Sequence, residues 1–176
     1  MSDELKEEGL GLFRRGLHDE ALEKFEMAAA SYAEAGDKAE RGEVLNNIGV
    51  IHRVRREWQA AIDAFDEAAA IFSEIGDENR RAQVLGNLGD LYAYQGERKE
   101  AARHYSDAAE LMAQTGDRAR QAELLRALSL LRLRQRRVME AMMLMEQSLS
   151  VRPRLNPLQR LFRGLIRFAM RLMGGT

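Results

Sequence analysis

Several residue types are scarce or absent from this chain of 176 residues. It has no cysteine, which excludes a disulfide framework and a thiolate metal site. Proline occurs only at Pro153 and Pro157, so no proline interrupts a helix before the C-terminal part. No apolar run approaches the roughly 20 residues of a membrane-spanning helix. The first residues, MSDELKEEG, are acidic and lack the apolar centre of a signal peptide, so we expect a cytoplasmic protein.

A period of 40 residues is the strongest positive signal in the chain. Five positions of the period each keep one kind of residue: a small residue, a leucine, an alanine, a large residue and a second small residue. They are occupied by Gly9, Gly49, Gly89 and Ser129; Leu5, Leu45, Leu85 and Leu125; Ala21, Ala61, Ala101 and Ala141; Phe25, Phe65, Tyr105 and Met145; and Ala28, Ala68, Ala108 and Ser148. Small residues at fixed places let neighbouring helices approach closely, and the larger ones fill the remaining space.

Each period contains two stretches with helical spacing of apolar residues, separated by a short polar segment. The segment Arg53–Glu57 is one such reversal, and Gly36-Asp37, Gly76-Asp77 and Gly116-Asp117 separate successive periods. Glycine favours the left-handed helix end, and aspartate caps the next helix. We expect Ser2 to cap a first helix that runs to about Arg15, and Asp37 with Glu40 has the spacing of a capping box. A second helix should follow the turn Gly16-Leu17-His18 and end at Gly36-Asp37. Further helices are predicted at about 38–55, 58–75, 78–95, 98–115, 118–135, 138–151 and 157–173.

The repeated residues resemble the tetratricopeptide repeat, in its longer form similar to kinesin light chain-like repeats. The residues that carry the resemblance are Leu45, Ile48, Gly49, His52, Ala61, Phe65 and Ala68, and then Leu85, Leu88, Gly89, Tyr92, Ala101, Tyr105 and Ala108. The resemblance implies an all-α, right-handed solenoid of four repeats. Their expected bounds are 2–36, 37–76, 77–116 and 117–153, followed by an amphipathic capping helix in 154–176.

The resemblance also implies a non-catalytic adaptor or assembly factor that binds a protein or peptide segment in a concave groove, without a cofactor. The first helix of each repeat would line this groove. Asn47 and Asn87 occupy equivalent positions, and their amides would hold the backbone of an extended peptide. The groove candidates are Lys6, Asn46, Asn47, Val50, Arg53, Gln83, Asn87, Asp90, Arg126 and Leu130.

The C-terminal segment has an apolar side and an arginine side at helical spacing. As a ninth helix it would cap the last hairpin. Its apolar arc is wider than one neighbour requires, so docking on an anionic membrane at the inner face, on another protein or on a second copy stays open. The residues concerned are Leu158, Leu161, Phe162, Arg163, Leu165, Ile166, Arg167, Phe168, Met170 and Arg171.

Charge is unevenly distributed. Residues 118–176 carry 13 arginines, no lysine and three glutamates, although the whole chain has a net charge of −1. Solvated helix faces explain this pattern, and so would steering of two partners or head-to-tail self-association into a structural assembly. We expect no specific nucleic acid, because the aromatic residues near these arginines belong to the apolar side. His18, His52 and His104 occupy unequal repeat positions, so we expect no metal site.

Overall fold

A computed structural model describes residues 1–174, which form nine α-helices and no strand. The helices are α1 Ser2–Arg14, α2 His18–Ala35, α3 Lys38–Val54, α4 Trp58–Glu74, α5 Glu78–Gln95, α6 Arg98–Thr115, α7 Arg118–Arg134, α8 Val138–Val151 and α9 Pro157–Leu172. The bounds predicted for α3 to α9 agree to within one residue, whereas His18, expected in a turn, begins α2. The expected all-α architecture is confirmed.

The chain divides into two compact units, and the boundary between Leu91 and Tyr92 falls inside α5. In unit 1, Met1–Leu91, α1 packs on α2, α2 on α3 and α3 on α4. In unit 2, which begins at Tyr92, α6 packs on α7, α7 on α8 and α8 on α9. Apart from α9, the consecutive helices of each unit therefore bury one another's apolar faces, as hairpins that cannot do so alone must.

Glycine and aspartate end one hairpin and begin the next, as their repetition predicts. Gly36, Gly76 and Gly116 all have positive φ. The carboxylates of the following residues, Asp37, Asp77 and Asp117, each accept a hydrogen bond from the backbone N–H three residues on. Glu40 does not complete the capping box expected from its spacing, because the N–H of Asp37 donates to the carbonyl of Tyr32 at 2.9 Å. The Glu40 carboxylate accepts a hydrogen bond from Lys6.

The small positions of the repeat bring the helices of unit 1 into close contact. A Cβ atom placed on Gly49 would lie 2.6 Å from the ring of Phe65, and one on Gly9 would lie 2.9 Å from the ring of Phe25. Only glycine fits at these two sites without displacing an aromatic ring that is itself fully buried.

In unit 2, serine occupies two repeat positions that hold glycine or alanine in the other repeats, and each hydroxyl has a hydrogen-bond partner. Ser129 Oγ donates to the carbonyl of Ala141, and Ser148 Oγ donates to the carbonyl of Ala122, both at 2.6 Å. Buried hydroxyls need such partners. The two bonds run in opposite directions between α7 and α8 and join this hairpin at two points.

The N-terminus differs from one sequence expectation. Ser2, expected to cap α1, lies inside the helix, and Met1 holds the cap position without a side-chain bond. Ser2 Oγ lies 2.6 Å from Ser31 Oγ, and Tyr32 Oη donates to Asp3 at 2.6 Å. Burial, followed by the adjacent Asp3 carboxylate, raises the pKa of Tyr32. These side chains connect α1 to α2.

Candidate functional site

Eight of the ten predicted groove residues lie on α1, α3 and α5 within unit 1, and all eight are half-buried. We call this surface the polar face: Lys6, Asn46, Asn47, Val50, Arg53, Gln83, Asn87 and Asp90. Residues on the other side of the same helices, such as Val44, Ile48 and Leu88, are buried in the core. Helical periodicity thus separates a packed side from a partly accessible side.

Charged side chains connect the three helices at one end of the polar face. Lys6 Nζ lies 2.6 Å from Glu40 and 3.1 Å from Glu43. Burial alone would lower the pKa of Lys6, but hydrogen bonds and charge attraction from the two glutamates outweigh it and raise this pKa above 10.5. On the other side of Glu43, Arg80 Nη1 lies 3.8 Å away. Glu43 therefore lies between a cation from α1 and a cation from α5.

Arg80 is held by several groups at once. Its Nη1 donates to the carbonyl of Ala39 at 3.3 Å, its Nε lies 3.2 Å from Asp77, and its guanidinium lies 5.8 Å from the centre of the Phe72 ring. A cation above an aromatic face is attracted by the ring. This residue was not among the sequence candidates, because nothing in the repeat pattern marks the first turn of α5 as part of the polar face.

An amide pair occupies the middle of the polar face. Asn87 Nδ2 donates to Asn46 Oδ1 across 2.8 Å, which connects α5 to α3. Asn47, the residue at the equivalent repeat position, makes no side-chain hydrogen bond within residues 1–174. Gln83 donates to Asn79 Oδ1 at 3.0 Å along α5. At the far end, Arg53 Nη1 lies 3.2 Å from Asp90 Oδ2.

A pocket of about 260 Å³ opens between α3 and α5. Its apolar floor combines with a carboxylate, three amides and a guanidinium, so it offers both donors and acceptors. Its size suits one side chain of a partner better than a complete small ligand. The lining residues are Glu43, Asn46, Asn47, Phe72, Arg80, Gln83 and Val84.

The two remaining groove candidates belong to unit 2. Arg126 and Leu130 lie on α7, and both are exposed, Leu130 by 41%. They lie on the opposite side of α7 from Leu128 and Leu131, which pack in a buried cluster with Tyr105.

The last helix contacts α8 mainly through its arginine side. Arg163 and Arg167 both place Nε 2.9 Å from Glu146 on α8. Burial alone would raise the pKa of Glu146, but the hydrogen bonds and charges of the two arginines hold it below its ordinary value. Ile166 is buried beside them, and Met170 is half-buried.

Most of the apolar side of α9 is exposed. Leu165, which the 40-residue period places at the buried leucine position, is 57% exposed, whereas its equivalent Leu125 is 5% exposed. The reason is that no described helix follows α9 to cover this side as α8 covers α7. We call the exposed set the α9 strip: Leu158, Leu161, Phe162, Leu165, Phe168 and Leu172.

Two other kinds of feature are absent from residues 1–174. No helix there is both long enough and apolar enough to cross a bilayer. The same residues contain no cluster of three His, Cys, Asp or Glu side chains suited to a metal ion. Two of the histidines contact side chains near them in sequence: His52 Nδ1 lies 2.6 Å from Glu57, and the His18 ring lies 5.5 Å from the ring of Phe13.

Comparison with known proteins agrees with the repeat pattern. A solved structure titled BtubC (BKLC) from P. vanneervenii superposes with a TM-score of 0.77 at 22% identity, over 89% of this chain and 66% of that one, just under two thirds of its length. MamA superposes with a TM-score of 0.68 at 19% identity, over 85% of this chain and 77% of that one. No curated protein matches significantly. The tetratricopeptide repeat profile matches residues 7–74 and 40–114. Since this match covers more than half of the sequence, the chain belongs to the tetratricopeptide repeat family.

Proposed function

We propose that the protein is a non-catalytic adaptor whose polar face binds an extended segment of a partner protein. Tetratricopeptide repeat proteins generally mediate protein–protein interactions and are typically scaffolds without catalysis. The observation that carries the proposal is the α3–α5 pocket, in which three amides of the polar face meet the carboxylate of Glu43, the guanidinium of Arg80 and the ring of Phe72.

The side chains around the pocket are already held in place. Arg80 has four partners and Asn87 donates to Asn46, so a ligand meets groups whose positions are largely set. Binding to fixed groups costs less conformational entropy than binding to mobile ones. Asn47 faces the same pocket, and its amide offers both a donor and an acceptor to a peptide backbone.

The test begins with affinity purification to identify a partner, followed by a measured dissociation constant with purified components. We expect Asn47→Ala with Asn87→Ala to weaken binding by roughly tenfold, which corresponds to one or two lost hydrogen bonds. Gln114→Ala with Gln147→Ala is the matched control, because it removes two exposed amides from other helices. Helicity should stay unchanged in both variants. Equal affinity of the two variants would refute the proposal.

Self-assembly through opposite charges is the competing proposal from the sequence. If the protein does not self-associate, light scattering should give a molar mass that is independent of salt concentration. Head-to-tail association would instead give a mass that falls as salt is added, because screening weakens contacts between exposed charges.

A further inference from the structure

We propose that the α9 strip is a docking surface for an anionic phospholipid bilayer. The strip is separate from the polar face, and the inference does not depend on the function proposed above. Its six members are between 49% and 77% exposed. Scattered exposed apolar residues are ordinary, but a continuous row along one helix marks an interaction surface.

The charges around the strip decide which occupant fits. Between Gln147 and Gly174 the sequence contains six arginines and no acidic residue. Arg163 and Arg167 are engaged by Glu146, whereas Arg154, Arg160 and Arg171 are exposed and have no ion pair among the described residues. A second copy docked strip against strip would bring two such arginine clusters together. Anionic headgroups would instead neutralise them.

The geometry of α9 suits a flat position at the headgroup boundary. Its 16 residues span about 24 Å, and the strip runs along nearly all of this length. The pairing of Glu146 with Arg163 and Arg167 holds the opposite side of the helix on α8, so the strip faces away from the hairpin. A helix with leucine and phenylalanine on one side and arginine on the other is typical of interfacial membrane helices.

Vesicle flotation with the full-length protein tests the proposal. We expect binding to vesicles of phosphatidylcholine mixed with phosphatidylglycerol, and binding about tenfold weaker to phosphatidylcholine alone. Phe162→Ser with Leu165→Ser should reduce binding to anionic vesicles by about tenfold or more, because two apolar side chains no longer enter the interface. Arg160→Gln with Arg171→Gln should reduce it by about tenfold and spare the contacts to Glu146.

The matched control is Val54→Ser with Leu133→Ser, which removes two apolar side chains of similar exposure from other helices. It should bind as the wild type does, and circular dichroism should show equal helicity for all variants. Failure of the wild type to bind anionic vesicles would overturn the proposal. Unchanged binding by Phe162→Ser with Leu165→Ser would overturn it too, since basic residues elsewhere would then explain the adsorption. An oligomer that this variant dissociates, without vesicle binding, would identify a second copy as the occupant and also overturn it.

Discussion

At the scale of single residues, every hairpin of the four repeats turns through one residue with positive φ. Gly16 and Gly96 have φ of 77° and 81°, whereas the equivalent Arg56 and Arg136 have φ of 61° and 60°. A non-glycine residue in this conformation costs about 1–2 kcal/mol. The second and fourth repeats therefore contain a strained turn that the first and third avoid.

We expect Arg136→Gly to stabilise the protein by about 0.5–1 kcal/mol, because relief of strain exceeds the added entropy of glycine in the unfolded chain. Thermal or urea unfolding measures the change. Arg136→Ala removes the same exposed charge but keeps the Cβ atom, so it should leave stability nearly unchanged. Equal effects of the two substitutions would show that charge, and not backbone strain, matters at this turn.

Two glycines of the first helices differ sharply in their surroundings. An added Cβ at Gly49 meets Phe65 at 2.6 Å, whereas one at Gly11 meets nothing within 4 Å. We expect Gly49→Ala to destabilise by about 1–3 kcal/mol through overpacking. Gly11→Ala should stabilise by about 0.5–1 kcal/mol, since alanine favours a helix. Unfolding curves of the two variants check this, and equal shifts would contradict the role assigned to the small repeat positions.

At the scale of helices, α9 depends on Glu146 for its attachment. The pKa of this carboxyl is lowered in the folded protein, so the pairing stabilises α9 above the unfolded pKa near 4.5 and is lost as the pH falls through the lower folded value. Arg167 is half-exposed, so solvent screening reduces its share of the interaction.

We expect Glu146→Gln to weaken the docking of α9 by about 1 kcal/mol at neutral pH. Hydrogen exchange by mass spectrometry should show faster exchange in α9 than in the wild type, with α3 unchanged as an internal reference. At a pH below the folded pKa of Glu146, α9 should exchange at the same rate in the wild type and in the variant. A difference that persists in acid would mean that hydrogen bonding or packing, not the charge, holds the helix.

At the scale of the whole molecule, exposed apolar surface is concentrated in one segment. Seven large apolar residues that are exposed lie between Leu158 and Met173. We expect removal of residues 154–176 to lower the fluorescence of an apolar dye such as ANS. The melting temperature should change by only about 2–4 °C, which corresponds to about 1 kcal/mol for a chain of this size. Increased dye binding with a large fall in melting temperature would mean that α9 mainly shields the hairpin beneath it.

The helices and their ends could be predicted because the signals are local. Gly36 and Asp37 end one helix and cap the next through bonds within a few residues, and the same pair returns at each period. Gly49 against Phe65 could be expected as well, since both recur at fixed places in the repeat. Repetition shows which positions are equivalent and must stay small or large, and the structure shows which of them are in contact.

The sequence indicates which helices carry the candidate site, but it does not predict which side chains contact one another there. Repeat equivalence relates Asn47 to Asn87, yet Asn87 bonds to Asn46, because the relative placement of α3 and α5 decides which amides meet. Arg80 joins the site only because folding brings Phe72 and Ala39 beside it.

The sequence by itself determined the helices, their turns and the family. The tertiary structure alone decided which polar side chains meet between helices and which side of α9 remains exposed. The physical reason is the range of the forces involved: capping and helical periodicity act within a few residues, whereas pairing such as Glu146 with Arg163 depends on how separate helices pack.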